Sequence, residues 1–179
     1  MMDSCCNCDC HKKIFRLNKV SSCPDCRGGS SVQSPVPSNF TSGAIWRNPE
    51  TKKIVVSLLN KSDIARTVTV SVVDWQNCAQ AEMSKEAFLC GESQPSLFNG
   101  TPTPLTFTIP AKKLLVVHAT PQNIWLPNDP IYEVLVNSPG DPVLPPDPVI
   151  FNTWGINDAG VPQEGNTVLH QQFLRTFFV

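Results

Sequence analysis

From about residue 40 onward, hydrophobic and polar side chains alternate in short runs, without the stripes of an amphipathic helix. The clearest run is Arg66-Thr67-Val68-Thr69-Val70-Ser71-Val72-Val73-Asp74-Trp75. Val68, Val70 and Val72 share one side, and Thr67, Thr69 and Ser71 share the other, the period of two that marks a half-buried antiparallel strand. Residues 53–59 form a second such run. Asn60-Lys61-Ser62-Asp63 between the two supplies turn chemistry, which predicts a hairpin. Residues 105–109, bounded by Pro104 and Pro110, alternate cleanly, and residues 113–119, 131–136, 149–154 and 167–178 follow in the same manner. With residues 44–46 the total is about seven or eight strands. Only residues 81–89 read as helical. The pattern predicts an all-β fold: an antiparallel two-sheet sandwich, jelly-roll or immunoglobulin-like, with a cysteine-rich N-terminal extension.

Composition sharpens this picture. The chain has 179 residues, of which 41% are hydrophobic, enough for one ordinary core plus an appendage. Charged residues are only 16%, below the usual quarter or so, which fits a protein whose faces are covered by copies of itself. A net charge of -1 removes the global electrostatic case for nucleic acid or an anionic membrane as partner. No run of about 18 apolar residues predicts a membrane-spanning helix. The start, Met1-Met2-Asp3-Ser4-Cys5-Cys6, lacks the basic and then apolar stretches of a secretory signal. Synthesis in a reducing cytosol is therefore expected, with any disulfides forming later, as when a cell lyses to release its product.

Three regions follow: a cysteine-rich connector at residues 1–27, a Gly/Ser/Pro linker at 28–39 and the β-sandwich domain at 40–179. Within the connector, residues 11–20 are basic with Ile14, Phe15, Leu17 and Val20 interspersed. Residues 139–148 are proline-rich and read as an exposed, rigid loop between strands.

Six of the eight cysteines, Cys5, Cys6, Cys8, Cys10, Cys23 and Cys26, lie in the connector. Such a tail has two chemical uses. Cys5-x-x-Cys8 and Cys23-x-x-Cys26, with 14 residues between the pairs, could offer four thiolates to one tetrahedral zinc ion, although Cys6 and Cys10 would then be surplus. The second use is cross-linking: the adjacent Cys5 and Cys6 bond each other only with strain and more naturally reach different partners. The remaining two, Cys78 and Cys90, bracket an 11-residue segment of the body. Bonded to each other, they would remove roughly 3 kcal/mol of unfolded-state entropy; otherwise each is a free thiol or an acceptor for a neighbour's tail.

Other chemistry is thinly represented. His11, His118 and His170 stand apart and read as ordinary tail or strand histidines, and no catalytic motif or paired carboxylates occur, so neither an enzyme nor a cofactor is expected. Trp46, Trp75, Trp125 and Trp154 could stack on sugars, but their spread suits core or interface anchors better. Lys12, Lys13, Arg16 and Lys19 make one small basic arm, better read as a solvated tail than as a nucleic-acid site. The Asn-x-Ser/Thr sequences at Asn39, Asn60 and Asn99 read as chance matches to a glycosylation signal.

The Cys-Cys-x-Cys tail, the Pro/Ser leash and the β body together resemble the subunits of endospore appendages and related exosporium proteins of spore-forming bacilli. Two body segments, residues 66–75 and Val161-Pro162-Gln163-Glu164-Gly165-Asn166-Thr167-Val168-Leu169-His170, are similar to small β proteins of the same bacteria. The resemblance implies a jelly-roll subunit that stacks into fibres, made in the mother-cell cytoplasm without a signal peptide and residing on the spore surface. It implies that Cys5, Cys6, Cys8 and Cys10 act as connector thiols and that Cys78 and Cys90 are acceptors on a neighbouring subunit. The chain departs from that pattern in its longer body and in the extra pair Cys23 and Cys26, features that would suit an anchor or cap. The resulting expectation is a non-enzymatic structural subunit that polymerises with itself, and with other spore-surface proteins, into a disulfide-stabilised fibre or layer. Sheet edges would pair between subunits. Two rival readings are a zinc-ribbon-tailed β interaction module, using Cys5, Cys8, Cys23 and Cys26, and a carbohydrate-binding or adhesive sandwich.

Overall fold

The computed structural model describes residues 38–75, 80–94, 102–121, 131–138, 148–163 and 165–176. The chain divides into residues 1–32 and 33–179, and all the described residues belong to the second unit. They form strands β1 (Ser38–Thr41), β2 (Ile45–Trp46), β3 (Lys53–Asn60), β4 (Arg66–Asp74), β5 (Ala81–Glu82), β6 (Ser84–Leu89), β7 (Glu92–Ser93), β8 (Leu105–Ile109), β9 (Leu114–Thr120), β10 (Ile131–Ser138), β11 (Val149–Ile156) and β12 (Leu174–Thr176), with a 3-10 turn at His170–Gln172.

All strand pairs are antiparallel and fall into two sheets. The first runs β12-β1-β10-β4-β5, with β2 also pairing β10 and β8 pairing β4; the second runs β11-β3-β9-β6-β7. The alternation of each strand aims one row of side chains between the sheets. Val68, Val70, Val72, Tyr132, Val134 and Val136 of the first sheet meet Ile54, Val56, Leu58, Leu115, Val117 and Phe151 of the second, none of them more than 1% exposed. Each such side chain contributes about 1.5–3 kcal/mol on leaving water, so this layer holds the sandwich together.

Two expectations are corrected. β3 and β4 are not a hairpin: β3 pairs β11 and β9, whereas β4 pairs β10, β5 and β8. The turn between them crosses from one sheet to the other. Asn60, fully buried, holds that corner, its Nδ2 donating to the carbonyls of Ile64 (2.8 Å), Ile109 (3.0 Å) and Pro110 (3.1 Å). So placed, Asn60 cannot carry a glycan. Residues 81–89 are strand, not helix: β5 pairs β4 in the first sheet and β6 pairs β9 in the second, with Met83 buried at the switch. Lys85 points inward with Ala87, so a cation at a core position disguises the alternation.

The ends also differ from the reading of the sequence. β1 begins at Ser38, inside the segment expected to be linker, and among the described residues of 167–178 the sheets gain only the short β12. Gln163, Val168 and His170, ahead of β12, cover the outer edge of β11. Gln163 N–H donates to Gly155 O (2.9 Å), Thr153 and Val168 exchange both backbone bonds, and Phe151 N–H meets His170 Nδ1 at 3.4 Å. That strand edge is thereby closed to other chains. The proline-rich loop lies outside the described residues.

Candidate functional site

Of the eight cysteines, Cys90 is the one that falls among the described residues; Cys5, Cys6, Cys8, Cys10, Cys23, Cys26 and Cys78 lie outside them. Cys90 and Gly91 form the two-residue turn between β6 and β7, with Leu89 opposite Glu92. Their φ values of 51° and 90° are those of a type I′ turn, whose twist matches the flanking strands. The first position ordinarily takes Asn, Asp or Gly, because a Cβ there is crowded, so cysteine is held at some cost. The Cys90 N–H continues the ladder by donating to Leu114 O (2.9 Å), which fixes the turn to β9. Its side chain is exposed and its thiol is free.

Cys90 stands at a particular end of the sandwich. β3 ends at Asn60 and β4 begins at Arg66, so these two residues mark one end in both sheets. In the second sheet Leu59 opposes Leu114, beside Cys90. In the first, Thr69 opposes Asn137, and Ser138 opposes Ser38. β1 therefore begins at the same end that carries the exposed thiol.

The outward face of the second sheet runs down from this end in registered rows. Ile150, Leu59 and Leu114 form the first; Asn152, Ser57, Val116 and Phe88 the next; Trp154, Val55, His118 and Glu86 the third. Half-buried apolar groups thus dominate a face turned away from the core, and Val55, between Trp154 and His118, is only 3% exposed. The charges on it are few and balanced: Lys53 Nζ lies 3.7 Å from Glu86 Oε2. His118 stacks obliquely on Phe88, with ring centroids 4.9 Å apart. Its pKa is lowered, first by burial and then by the nearby Lys53, while Glu86 opposes the shift.

The outward face of the first sheet is different in kind. Hydroxyl pairs Thr67–Thr108 (2.8 Å) and Thr69–Thr106 (2.9 Å) bridge β4 and β8, Asn137 donates to Asn39, and Glu133 accepts from Thr41 and from Trp75 Nε1 (3.0 Å). Its polar groups satisfy one another and face water without penalty.

The remaining polar residues serve the fold. Lys85 donates to Glu82 and to the carbonyls of Met83 (2.9 Å) and Thr103 (3.0 Å). Burial lowers its pKa and the Glu82 carboxylate opposes this, so the amine is committed to holding the sheet switch. His170, in the 3-10 turn, packs edge-on to Phe151 at 4.4 Å and closes the β11 edge, two strands away from His118 on β9. Trp46 is 61% exposed, Trp75 and Trp154 are half-buried, and none of these three enters the core; Trp125 lies outside the described residues. A shallow depression of about 400 Å³, lined by Pro49, Glu50, Lys52, Asn157, Asp158 and Ala159, is open to solvent. Among the described residues no group of three His, Cys, Asp or Glu side chains is placed to hold a metal ion, and no helix is long and apolar enough to cross a membrane.

The apolar outer face was hidden in the sequence, because Val55 and Trp154 lie in runs that look like core on both sides. The Cys90-Gly91 turn left a visible trace, a glycine following a single residue between two short β-compatible segments. No protein-family model, curated protein or solved structure matches this chain.

Proposed function

We propose that this chain is a non-enzymatic structural subunit that assembles with copies of itself into a fibre or layer on the spore surface, locked by disulfides from its N-terminal cysteines. The observation that carries this reading is the free, exposed Cys90 on a two-residue hairpin turn, at the end of the sandwich where β1 begins. A thiol fixed in that way is presented to another molecule, and six more cysteines on a Gly/Ser/Pro leash are the natural partners.

The strand order supports the jelly-roll form of the sandwich. Taking β1-β10-β4-β8 against β3-β9-β6-β7 gives eight strands in the two-sheet order of a jelly roll, with β11 and β12 added outside β3 and β1. The spore-surface location rests on the resemblance of the tail and body segments.

The test is electrophoresis of native material with and without reductant, with zinc assayed on the same sample. A high-mass ladder that collapses to monomer on reduction, with no zinc, supports the stapled polymer. A monomer carrying one zinc would replace it with the metal-folded interaction module built on Cys5, Cys8, Cys23 and Cys26. A second reading, the carbohydrate-binding sandwich, is favoured by the exposure of Trp46, and glycan-dependent quenching of tryptophan fluorescence, lost in Trp46→Ala, would support it.

A further inference from the structure

The geometry points to the outward face of the β11-β3-β9-β6 sheet as the non-covalent contact between copies, a second copy of this chain lying against it. The inference rests on the self-assembly reading above and names the surface that brings the thiols into register.

The two outer faces of the sandwich make the choice. One is mainly a lattice of Thr, Asn, Ser and Glu side chains bonded to each other, with Leu135 among them and the exposed Trp46 and Leu174 apart from one another at its margins. The other presents Ile150, Leu59, Leu114, Val116, Phe88 and Trp154 in adjoining rows. A contiguous apolar surface of this kind marks an interaction site.

A second copy is the occupant for two reasons. The face carries one cation and one anion, Lys53 and Glu86, already paired, so two such faces meet without net repulsion. A strongly charged partner would find nothing complementary there. The size of the face suits a reversible contact between copies. Four strands spaced about 4.8 Å and runs of about seven residues rising about 3.3 Å each give roughly 450 Å² per copy. That is below the ~800 Å² per partner of a stable complex, so two copies would associate weakly and reversibly on this contact alone. A weak contact ending at Cys90 is the arrangement in which a disulfide, formed from two thiols as molecular oxygen takes up their two electrons and two protons, turns a transient neighbour into a permanent one. The face sets the register, and the bond sets the lifetime.

Sedimentation velocity of the full chain in excess reductant tests this, because no disulfide can then contribute. The expected result is a sedimentation coefficient that rises with concentration into the high micromolar range. Phe88→Glu and Val116→Lys, each on the apolar face, should weaken association at least tenfold, while Thr69→Lys on the opposite face should leave it unchanged. Circular dichroism and thermal melting identify any variant that fails to fold, and the other variant then decides. Trp154 emission should shift to the blue on association, in parallel with the sedimentation change, and the shift should be absent in Trp154→Phe. Reduced protein that stays monomeric at every concentration overturns the inference, as does unchanged association of both face variants. If reduced protein is monomeric while the oxidised ladder stands, the face fails and the staple survives. If reduced protein associates but no ladder forms on oxidation, the staple fails and the face survives.

Discussion

The Tyr132 phenol donates to the backbone carbonyl of Asn166 at 3.1 Å, joining the fully buried start of β10 to the loop that covers the β11 edge. Asn166 is itself 1% exposed. With its amide nitrogen turned to the Trp46 carbonyl, its side-chain oxygen accepts from Asn48 N–H (3.2 Å) and the Thr51 hydroxyl (2.8 Å). A polar knot thus sits at the end of the core opposite Cys90, tying β2, β10 and the C-terminal segment together.

Removing the phenol oxygen leaves the Asn166 carbonyl buried and unsatisfied. Tyr132→Phe should cost about 1–2 kcal/mol, read as a lower urea midpoint with an unchanged slope. Burial also raises the Tyr132 pKa well above its usual range near 10. The folded state therefore binds more protons than the unfolded state above about pH 10, and stability that is complete below that pH falls as the pH climbs further. Tyr132→Phe should remove this part of the alkaline loss. An alkaline profile identical in both proteins would show that the phenol is not held protonated by the fold.

Gly155 belongs to the same knot. A Cβ at this position would stand 2.7 Å from Thr51 Cγ2 and 2.8 Å from both Thr51 Oγ1 and the Asn166 side-chain atom that faces Thr51, its oxygen in the orientation given above. All three atoms are on short, buried side chains that cannot swing away. Gly155→Ala should destabilise by about 1–3 kcal/mol through overpacking, and Thr51→Ser, by removing Cγ2, should recover part of the loss. Equal melting temperatures for wild type and Gly155→Ala would contradict the close approach.

His118 sets the acid limit on the apolar face. Its folded pKa lies below the unfolded value near 6.5, so the unfolded state takes up the proton first as pH falls. The contribution is complete above about pH 6.5 and is lost below it, down to the folded pKa. His118→Gln should flatten stability in that window while leaving neutral-pH stability near wild type. Denaturant titrations in steps across the window measure this; an unchanged acid slope in His118→Gln would place the titration elsewhere.

What the sequence discloses follows from which faces meet water. β4 and β10 were legible because their outward Thr, Ser, Glu and Asn contrast with inward Val, and β9 and β11 were legible from their length. Sheet membership was not legible, since Val68 and Ile54 look equally inward whichever sheet they serve. That is why β3 and β4 read as a hairpin, although the corner at Asn60 sends them to opposite layers. β6 was concealed by Lys85, a cation whose partners Glu82, Met83 and Thr103 are separated from it along the chain or across a strand. For the site, Cys90 was identifiable as a reactive side chain. Its free state, its positive φ and the apolar rows beneath it depend on pairing partners that only the fold assembles.

That positive φ allows covalent and folding roles at Cys90 to be separated. Asparagine tolerates the left-handed region better than cysteine, so Cys90→Asn should raise stability by about 0.5–1 kcal/mol in reductant, or at least leave it unchanged. The same substitution removes the body thiol and should eliminate any oxidised species that bonds through it. Cys90→Ala, which keeps the strain and also lacks the thiol, should lose the same species without the gain in stability. Oxidised gels of the two variants beside thermal melts in reductant make the comparison. A ladder identical to wild type in both would show that Cys90 is not the acceptor and would move that role to Cys78 or to the tail itself.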